Sequence, residues 1–320
     1  MKYYFIVNPG SRTGKGKGLW NSLEDKVKAS GVEYEVFCTQ KAGDATEFAK
    51  KICEEHPEMK RIIMVGGDGT ANESINGLDN YDNFELGYVP TGSSNDLARG
   101  PGISQDSEAE LERVLSPKQF KKVDHGVVEF LDDSENDPYV VENGTRKYRK
   151  FFCGSGIGYN ADICYDAQLS RLKVFLNKIG QGKLIYFLLG IKLIFARRRA
   201  SVSIVIDGKT HVNYAEMLFA DAMNTQYEGG GMPMGPGADP TDGKLTICVV
   251  HDISVLKHMM LMSSIIKGNH IKHKGVELIT CESMEIESDR PLIVHTDGEY
   301  AGKHRKIRFS CHPEKAKMLL

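Results

Sequence analysis

Arg61-Ile62-Ile63-Met64-Val65-Gly66-Gly67-Asp68-Gly69-Thr70-Ala71-Asn72-Glu73 runs from an apolar strand through a glycine-rich turn into the start of a helix. A strand without polar alternation is one buried on both faces, the habit of parallel sheets covered by helices. Upstream, Tyr3–Val7 reads as a strand and is followed by a Gly/Lys-rich loop through Gly18. A helix then carries Leu19, Leu23 and Val27 on one face. Glu33–Cys38 is a second strand, and Ala45 to Glu54 a second helix with Phe48 and Ile52 at i, i+4. Downstream, a helix through Ile75 leads to a strand at Leu86–Val89 and a polar turn at Pro90–Asn95. Alternating βα units predict an open, mostly parallel sheet with helices on both faces. Its ligand crevice lies at the carboxyl ends of the strands, where all three Gly/Asn/Asp-rich segments fall.

The texture changes after Lys122. Val123–Phe130, Tyr139–Val141 and Lys147–Phe152 read as strands, and Asn160 to Ala196 as a helical region. Ser201–Ile206 and Lys209–Val212 form a hairpin about Asp207-Gly208, a pair suited to a primed turn. Further strands are expected at Tyr214–Asp221, Leu245–Val250, Val276–Thr280, Met284–Glu287, Leu292–His295 and Ile307–Ser310, with one helix at Val255–Ile266. Many short strands point to a β-sandwich-like second domain. The reading is therefore α/β, with a first domain over 1–122, residues 312–320 packing back onto it, and a β-rich domain over 123–311. The acidic patch Asp132–Asp137 reads as a solvated loop.

Composition narrows the function classes. Hydrophobic residues make up 41% of the 320, as in ordinary globular proteins. A formal net charge of -2 argues against a nucleic-acid partner, which calls for a strongly basic face. The 7 cysteines are scattered without a C-x-x-C pair, so no zinc knuckle or disulfide framework is indicated and a reducing, cytoplasmic setting is expected. The opening apolar run is too short for a signal-peptide core. Leu184 to Phe195, the longest apolar stretch, is shorter than the roughly 20 residues needed to span a bilayer.

Each motif admits two readings when taken alone. Glycines in Gly66–Thr70 let the backbone approach phosphate, and the following helix offers free N–H groups and a favourable dipole. Asp68 in such a loop calls for a cation such as magnesium between it and the nucleotide; the plain alternative is a tight strand-to-helix turn. Asn8-Pro9-Gly10-Ser11-Arg12-Thr13-Gly14-Lys15-Gly16 is either a phosphate- or adenosine-wrapping loop or a basic surface loop. It is not a P-loop, because Gly18 follows Gly16-Lys17. In Pro90–Ala98, hydroxyls and amides suit ribose, phosphate or water-mediated metal contacts, while Asn95 or Asp96 also suits a helix cap. Asp239 and Asp242, on an irregular loop before Leu245, are either hard-cation ligands or part of an ordered turn. His295-Thr296-Asp297-Gly298-Glu299-Tyr300 offers a carboxylate as general base, or a hairpin turn.

In this order the segments resemble the diacylglycerol-kinase catalytic family, above all the soluble bacterial lipid kinases of the diacylglycerol kinase B type. The resemblance covers essentially the whole chain. It rests on Asn8-Pro9 with Ser11, Gly66–Glu73, Pro90–Ala98, Gly229–Met232 with Asp242-Gly243, and Asp297–Glu299. It implies an NAD-kinase-like open sheet, a β-sandwich-like second domain, and an active site between them. By position, the ATP site would comprise Asn8, Pro9, Gly10, Ser11, Arg12, Thr39, Gly66, Gly67, Asp68, Gly69, Thr70, Ala71, Asn72 and Ser93. Asp239, Asp242 and the Lys244 carbonyl would hold magnesium. Glu299 would be the catalytic acid/base, with Asp297 beside it and Asp68 near the phosphates. Three positions depart from the family pattern: Ser93 replaces threonine, Gly10 a bulkier residue, and Arg12 a glycine.

The resemblance further implies in-line transfer of the ATP γ-phosphoryl group to a hydroxyl of diacylglycerol or a related lipid at a membrane surface, with peripheral membrane association. It leaves a homodimer open. The apolar segment Leu184–Phe195, ending at Arg197-Arg198-Arg199, reads as a buried core helix with a cationic end, against a lipid-contacting one. An NAD kinase shares Gly66–Thr70, and a non-catalytic nucleotide-binding regulator is the other competing reading.

Overall fold

The computed structural model describes residues 1–14, 16–132, 148–170, 184–195 and 199–320. The expected strand Tyr139–Val141, most of the acidic patch, Lys15, Arg197 and Arg198 lie outside them. Two compact units divide the chain: Met1–His125 with Pro313–Leu320, and Gly126–His312.

The first unit is a six-stranded sheet in the order β2-β1-β3-β4-β15-β5. Its strands are β1 (Tyr3–Val7), β2 (Tyr34–Cys38), β3 (Lys60–Gly66), β4 (Phe84–Pro90), β5 (Phe120–Val123) and β15 (Ala316–Leu319). The first four pair in parallel, β15 joins β4 in parallel, and only β5 runs antiparallel. Every residue of β1 is buried, because helices cover both faces. On one face Phe5, Val7, Ile63 and Val65 pack against Trp20, Leu23 and Val27 of the helix Gly16–Ser30. Each such aliphatic side chain contributes roughly 1.5–3 kcal/mol by burial.

Two local expectations shift here. The Gly/Lys-rich segment is helical rather than a loop: Ser11–Gly14 and Gly16–Ser30 are both helices. Gly16 permits this, since a Cβ there would meet Ser11 Oγ at 2.2 Å and the Asn8 carbonyl at 2.9 Å. With the helix begun early, Trp20 takes the buried stripe position and Leu19 is only partly covered. The single strand read over Val123–Phe130 is broken at Asp124-His125. Asp124 pairs with Lys315 at 2.7 Å and the His125 ring stacks on Tyr81 at 4.7 Å, so both residues are held by the first unit.

The second unit contains β6 (Gly126–Phe130), β7 (Tyr148–Phe151), β8 (Gly154–Gly158), β9 (Ala200–Ile206), β10 (Thr210–Met223), β11 (Leu245–His251), β12 (Val276–Cys281), β13 (Ser283–Thr296) and β14 (Glu299–Cys311). β10 and β13 are longer than expected. Each joins two strands read separately in the sequence, through an irregularity at Tyr214/Met217 and at Glu287/Leu292. The first part of each pairs with β9 and the last part with β8. Strands that change partners halfway fold one ladder into two layers, and Val128, Ile157, Ile204, Ile247, Ile286 and Phe309 fill the sandwich between them. Asp207 and Gly208, both at positive φ, make the expected β9–β10 turn.

Outside the sandwich, the helices Tyr159–Leu169, Leu184–Ile194 and Val255–Ile265 share an apolar cluster with β10 and β11. Within 188–195 of the segment read as a core helix, Leu193 and Ile194 are buried there while Leu188 and Phe195 are exposed.

Candidate active site

Three loops leave the carboxyl ends of β1, β3 and β4 in the first unit, and hydrogen bonds hold them side by side. Asn8 joins the first loop to the second: its Nδ2 donates to Thr70 Oγ1 at 3.0 Å, and its backbone N–H donates to the Val65 carbonyl at 2.9 Å. Asn8 Oδ1 accepts from the Gly10 amide at 2.9 Å, which shapes its own loop. Ser11 joins the first loop to the third, with Oγ 3.1 Å from Thr91 Oγ1. The second and third loops meet directly: the Thr91 amide donates to the Gly66 carbonyl at 2.7 Å and the Leu97 amide to Asp68 Oδ1 at 3.0 Å. A Cβ on Gly92 would lie 2.4 Å from Gly67 Cα, so any larger residue there would push the loops apart.

The helix Asp68–Asn76 begins inside this cluster, with extended Gly67 as its N-cap and no side chain capping it. Its first backbone bond runs from the Ala71 amide to the Gly67 carbonyl. The amides of Asp68, Gly69 and Thr70 therefore come before the helical ladder and, with the helix dipole, favour an anion. Thr39 follows β2, and its amide donates to the Val7 carbonyl at 2.9 Å, next to the end of β1. Arg12 lies in the Ser11–Gly14 helix. Ala71 and Asn72 are buried, so their side chains belong to the interior. Ser93 is exposed at the tip of the third loop.

Of that loop the resemblance assigned only Ser93 to nucleotide. The structure places Thr91 and Asn95 at its centre. Asn95 adopts the left-handed conformation (φ 52°), as asparagine tolerates, and its side chain accepts from the Gly92 amide at 2.9 Å and donates to the Gly92 carbonyl at 3.1 Å. Asn95, directly after Ser93-Ser94, stands at the N-cap position of the short helix Asp96–Arg99, but its side chain closes the turn instead of capping that helix.

In the second unit, Asp297 (φ 49°) and Gly298 (φ 83°) form the β13–β14 hairpin turn. The Asp297 carboxylate accepts three backbone amides: Phe152 at 3.0 Å, Cys153 at 2.7 Å and Gly154 at 3.1 Å. Its oxygens thereby clamp the hairpin to the β7–β8 connection. Glu299 is exposed and its Oε2 accepts from Gln168 Nε2 at 2.7 Å, a partner that sequence spacing did not reveal. On another loop, Asp239 Oδ1 accepts from the Thr241 amide and hydroxyl, and Asp242 Oδ1 from the Lys244 amide at 2.9 Å. Both residues are exposed, and these bonds use one oxygen of each carboxylate. A loop that holds two such hard donors together fits the donor set magnesium prefers.

Two family models match the chain: the diacylglycerol kinase catalytic domain over residues 2–128 and the YegS C-terminal NAD kinase beta sandwich-like domain over residues 158–320. A Bacillus subtilis (strain 168) protein named “Putative lipid kinase YtlR” is 28% identical, covering 94% of each chain. A diacylglycerol kinase of Staphylococcus carnosus (strain TM300) is 28% identical over 93% of this chain and 88% of its own. A crystal structure of a diacylglycerol kinase from Bacillus anthracis str. Sterne superposes with a TM-score of 0.68 at 20% identity, covering 99% of this chain and 96% of that one, and supports the fold. The glycine-rich loops fall within the first match and the acidic hairpin within the second, and the chain belongs to the diacylglycerol kinase catalytic family with a YegS-type C-terminal domain, a family of ATP-dependent kinases.

Proposed function

We propose that this kinase transfers the γ-phosphoryl group of ATP to the free hydroxyl of diacylglycerol or a closely related glycerolipid, giving phosphatidic acid or its analogue and ADP. The observation that carries the lipid acceptor is an apolar surface on the second unit. Leu256, Met259, Met260 and Ile266 lie along the outer side of the helix Val255–Ile265 and its end, and all are exposed. Their neighbours Lys257 and Lys267 are exposed too. The opposite side, His258, Leu261 and Ile265, is already buried in the protein. A helix apolar on both sides, flanked by lysines, suits a lipid–water interface. No helix among the described residues is long and apolar enough to cross a membrane, so a peripheral approach to the acceptor follows.

In this reading Asn8, Ser11, Thr70 and the Gly66–Thr70 amides hold the nucleotide phosphates, with Asp68 beside them. Asp239, Asp242 and the Lys244 carbonyl would hold a structural Mg2+ within their own loop. Glu299 takes the proton of the acceptor hydroxyl as its oxygen forms a bond to the γ-phosphorus and the bond to the ADP oxygen breaks. Gln168 fixes the carboxylate's orientation, and Asp297 fixes the hairpin that carries it. Positioning and charge neutralisation supply most of the rate.

Labelled ATP offered with a panel of diacylglycerol, ceramide, sphingoid base and NAD tests the proposal. Label is expected in phosphatidic acid, with Glu299→Gln slowing turnover by about 100-fold, the low end of general-base effects. Label in NADP, or in no lipid, would refute the acceptor assignment. Undiminished turnover in Glu299→Gln would remove that residue from its role.

A further inference from the structure

Within the second unit, Asp221 of β10, Gly156 of β8 and His295 of β13 are register partners across three adjacent strands. Register partners share a face of the sheet, so an acid and an imidazole rise on either side of a residue with no side chain. Both lean over it: a Cβ on Gly156 would lie 1.8 Å from Asp221 Oδ1 and 2.6 Å from His295 Nε2. The two residues are 0% and 1% exposed, and among the described residues neither of these atoms has a hydrogen-bond partner. They stand 3.7 Å apart, too far for an N–H···O bond but close to the separation of two atoms each bound about 2.1 Å from one ion. Glu228, from the loop after β10, closes the group: its Oε1 lies 3.4 Å from His295 Nδ1, and one ligand atom from each of the three residues lies within 4.8 Å of the others.

We infer that Asp221, Glu228 and His295 bind a divalent first-row transition ion of the Zn2+ or Mn2+ class, which ties the Glu228–Met232 loop to the end of β13. One imidazole nitrogen with carboxylate oxygens suits these ions better than magnesium. A neighbour holds Asp221 in place, since Asn160 Nδ2 donates to its second oxygen. Two carboxylates face the imidazole, Asp221 at 3.7 Å and Glu228 at 3.4 Å, and acidic surroundings of this kind favour a cation. Glu228 is partly exposed, which gives the ion a way in.

Chelator-dialysed protein titrated with Zn2+, and with Mn2+ followed by electron paramagnetic resonance, decides the matter. Excess Mg2+ in the buffer occupies the Asp239–Asp242 loop. Equimolar binding is expected in the wild type and in an Asp239→Asn/Asp242→Asn double variant, weakened by about 100-fold or more in His295→Gln and in Asp221→Asn. A folded wild type that binds neither ion would overturn the site, whatever the variants do. So would a folded His295→Gln chain, its circular dichroism unchanged, that kept wild-type affinity.

Discussion

Asp68-Gly69 and Asp297-Gly298 are the same pair of residues at the end of a strand, one in each unit, and the fold uses them differently. Asp68 opens a helix, with Gly67 pressed against a second loop, and its Oδ1 accepts the Leu97 amide. Asp297 closes a hairpin at positive φ and accepts three amides from the β7–β8 connection. In the parallel sheet, neighbouring strand ends bring separate loops side by side, so a carboxylate there links one loop to the next. In the sandwich, the same carboxylate is turned inward to hold two hairpin layers together. An acid beside glycine therefore identifies a chemical position only once its strand type is known.

The largest effect should come from Asp297→Ala. Loss of three charge-assisted bonds from buried amides is expected to destabilise the protein by about 3–5 kcal/mol in urea unfolding, since such bonds contribute roughly 1.5–3 kcal/mol each but not additively. Asp297→Asn, which keeps one acceptor, should lose less. A neutral Asp297→Ala would break the contrast with Asp68.

Glu299→Gln sharpens the same contrast from the other side. Turnover should fall by about 100-fold, about 2.7 kcal/mol in barrier, with the urea midpoint unmoved because the residue is exposed and, among the described residues, its side chain bonds Gln168 alone. A combined loss of stability and turnover would make it a second clamp.

A pH series probes the apolar side of the sandwich unit. Burial holds the His258 pKa down at about 4 against 6.5 for an ordinary histidine, its ring edge-on to Tyr159 at 4.4 Å. Between pH 6.5 and 4 the unfolded chain takes up a proton there that the folded chain does not, so stability falls as the solution is acidified. The slope is at most about 1.4 kcal/mol per pH unit, and the loss is complete below pH 4. His258→Leu should flatten that part of the stability–pH curve; an unchanged curve would show that the ring protonates in place.

The smallest effect belongs to the loop cluster of the first unit. Thr91→Val removes the partner of Ser11 Oγ and should cost about 1 kcal/mol in stability. The KM for ATP should rise more than kcat falls, because the bond shapes the nucleotide loops rather than the acceptor side. A variant with altered kcat alone would separate Thr91 from nucleotide binding.

The alternating βα pattern, the apolar strand Arg61–Val65 and the glycine-rich blocks were legible in the chain itself, because parallel strands are apolar throughout and their loops carry local, contiguous signals. So was the Asp207-Gly208 turn, whose two positive φ angles demand those residue types. Tertiary structure alone decided the rest. Trp20 displaced Leu19 because Gly16 let the helix start against Asn8 and Pro9. β10 and β13 became long strands because pairing with two different neighbours carries a strand through an irregularity that breaks its alternation. The partners of Ser11, Asp297 and Glu299 lie 80 to 145 residues away, and the row Asp221, Gly156, His295 exists only through strand register. Periodicity reports which face of an element is buried; it carries no information about which distant backbone or side chain will meet that face.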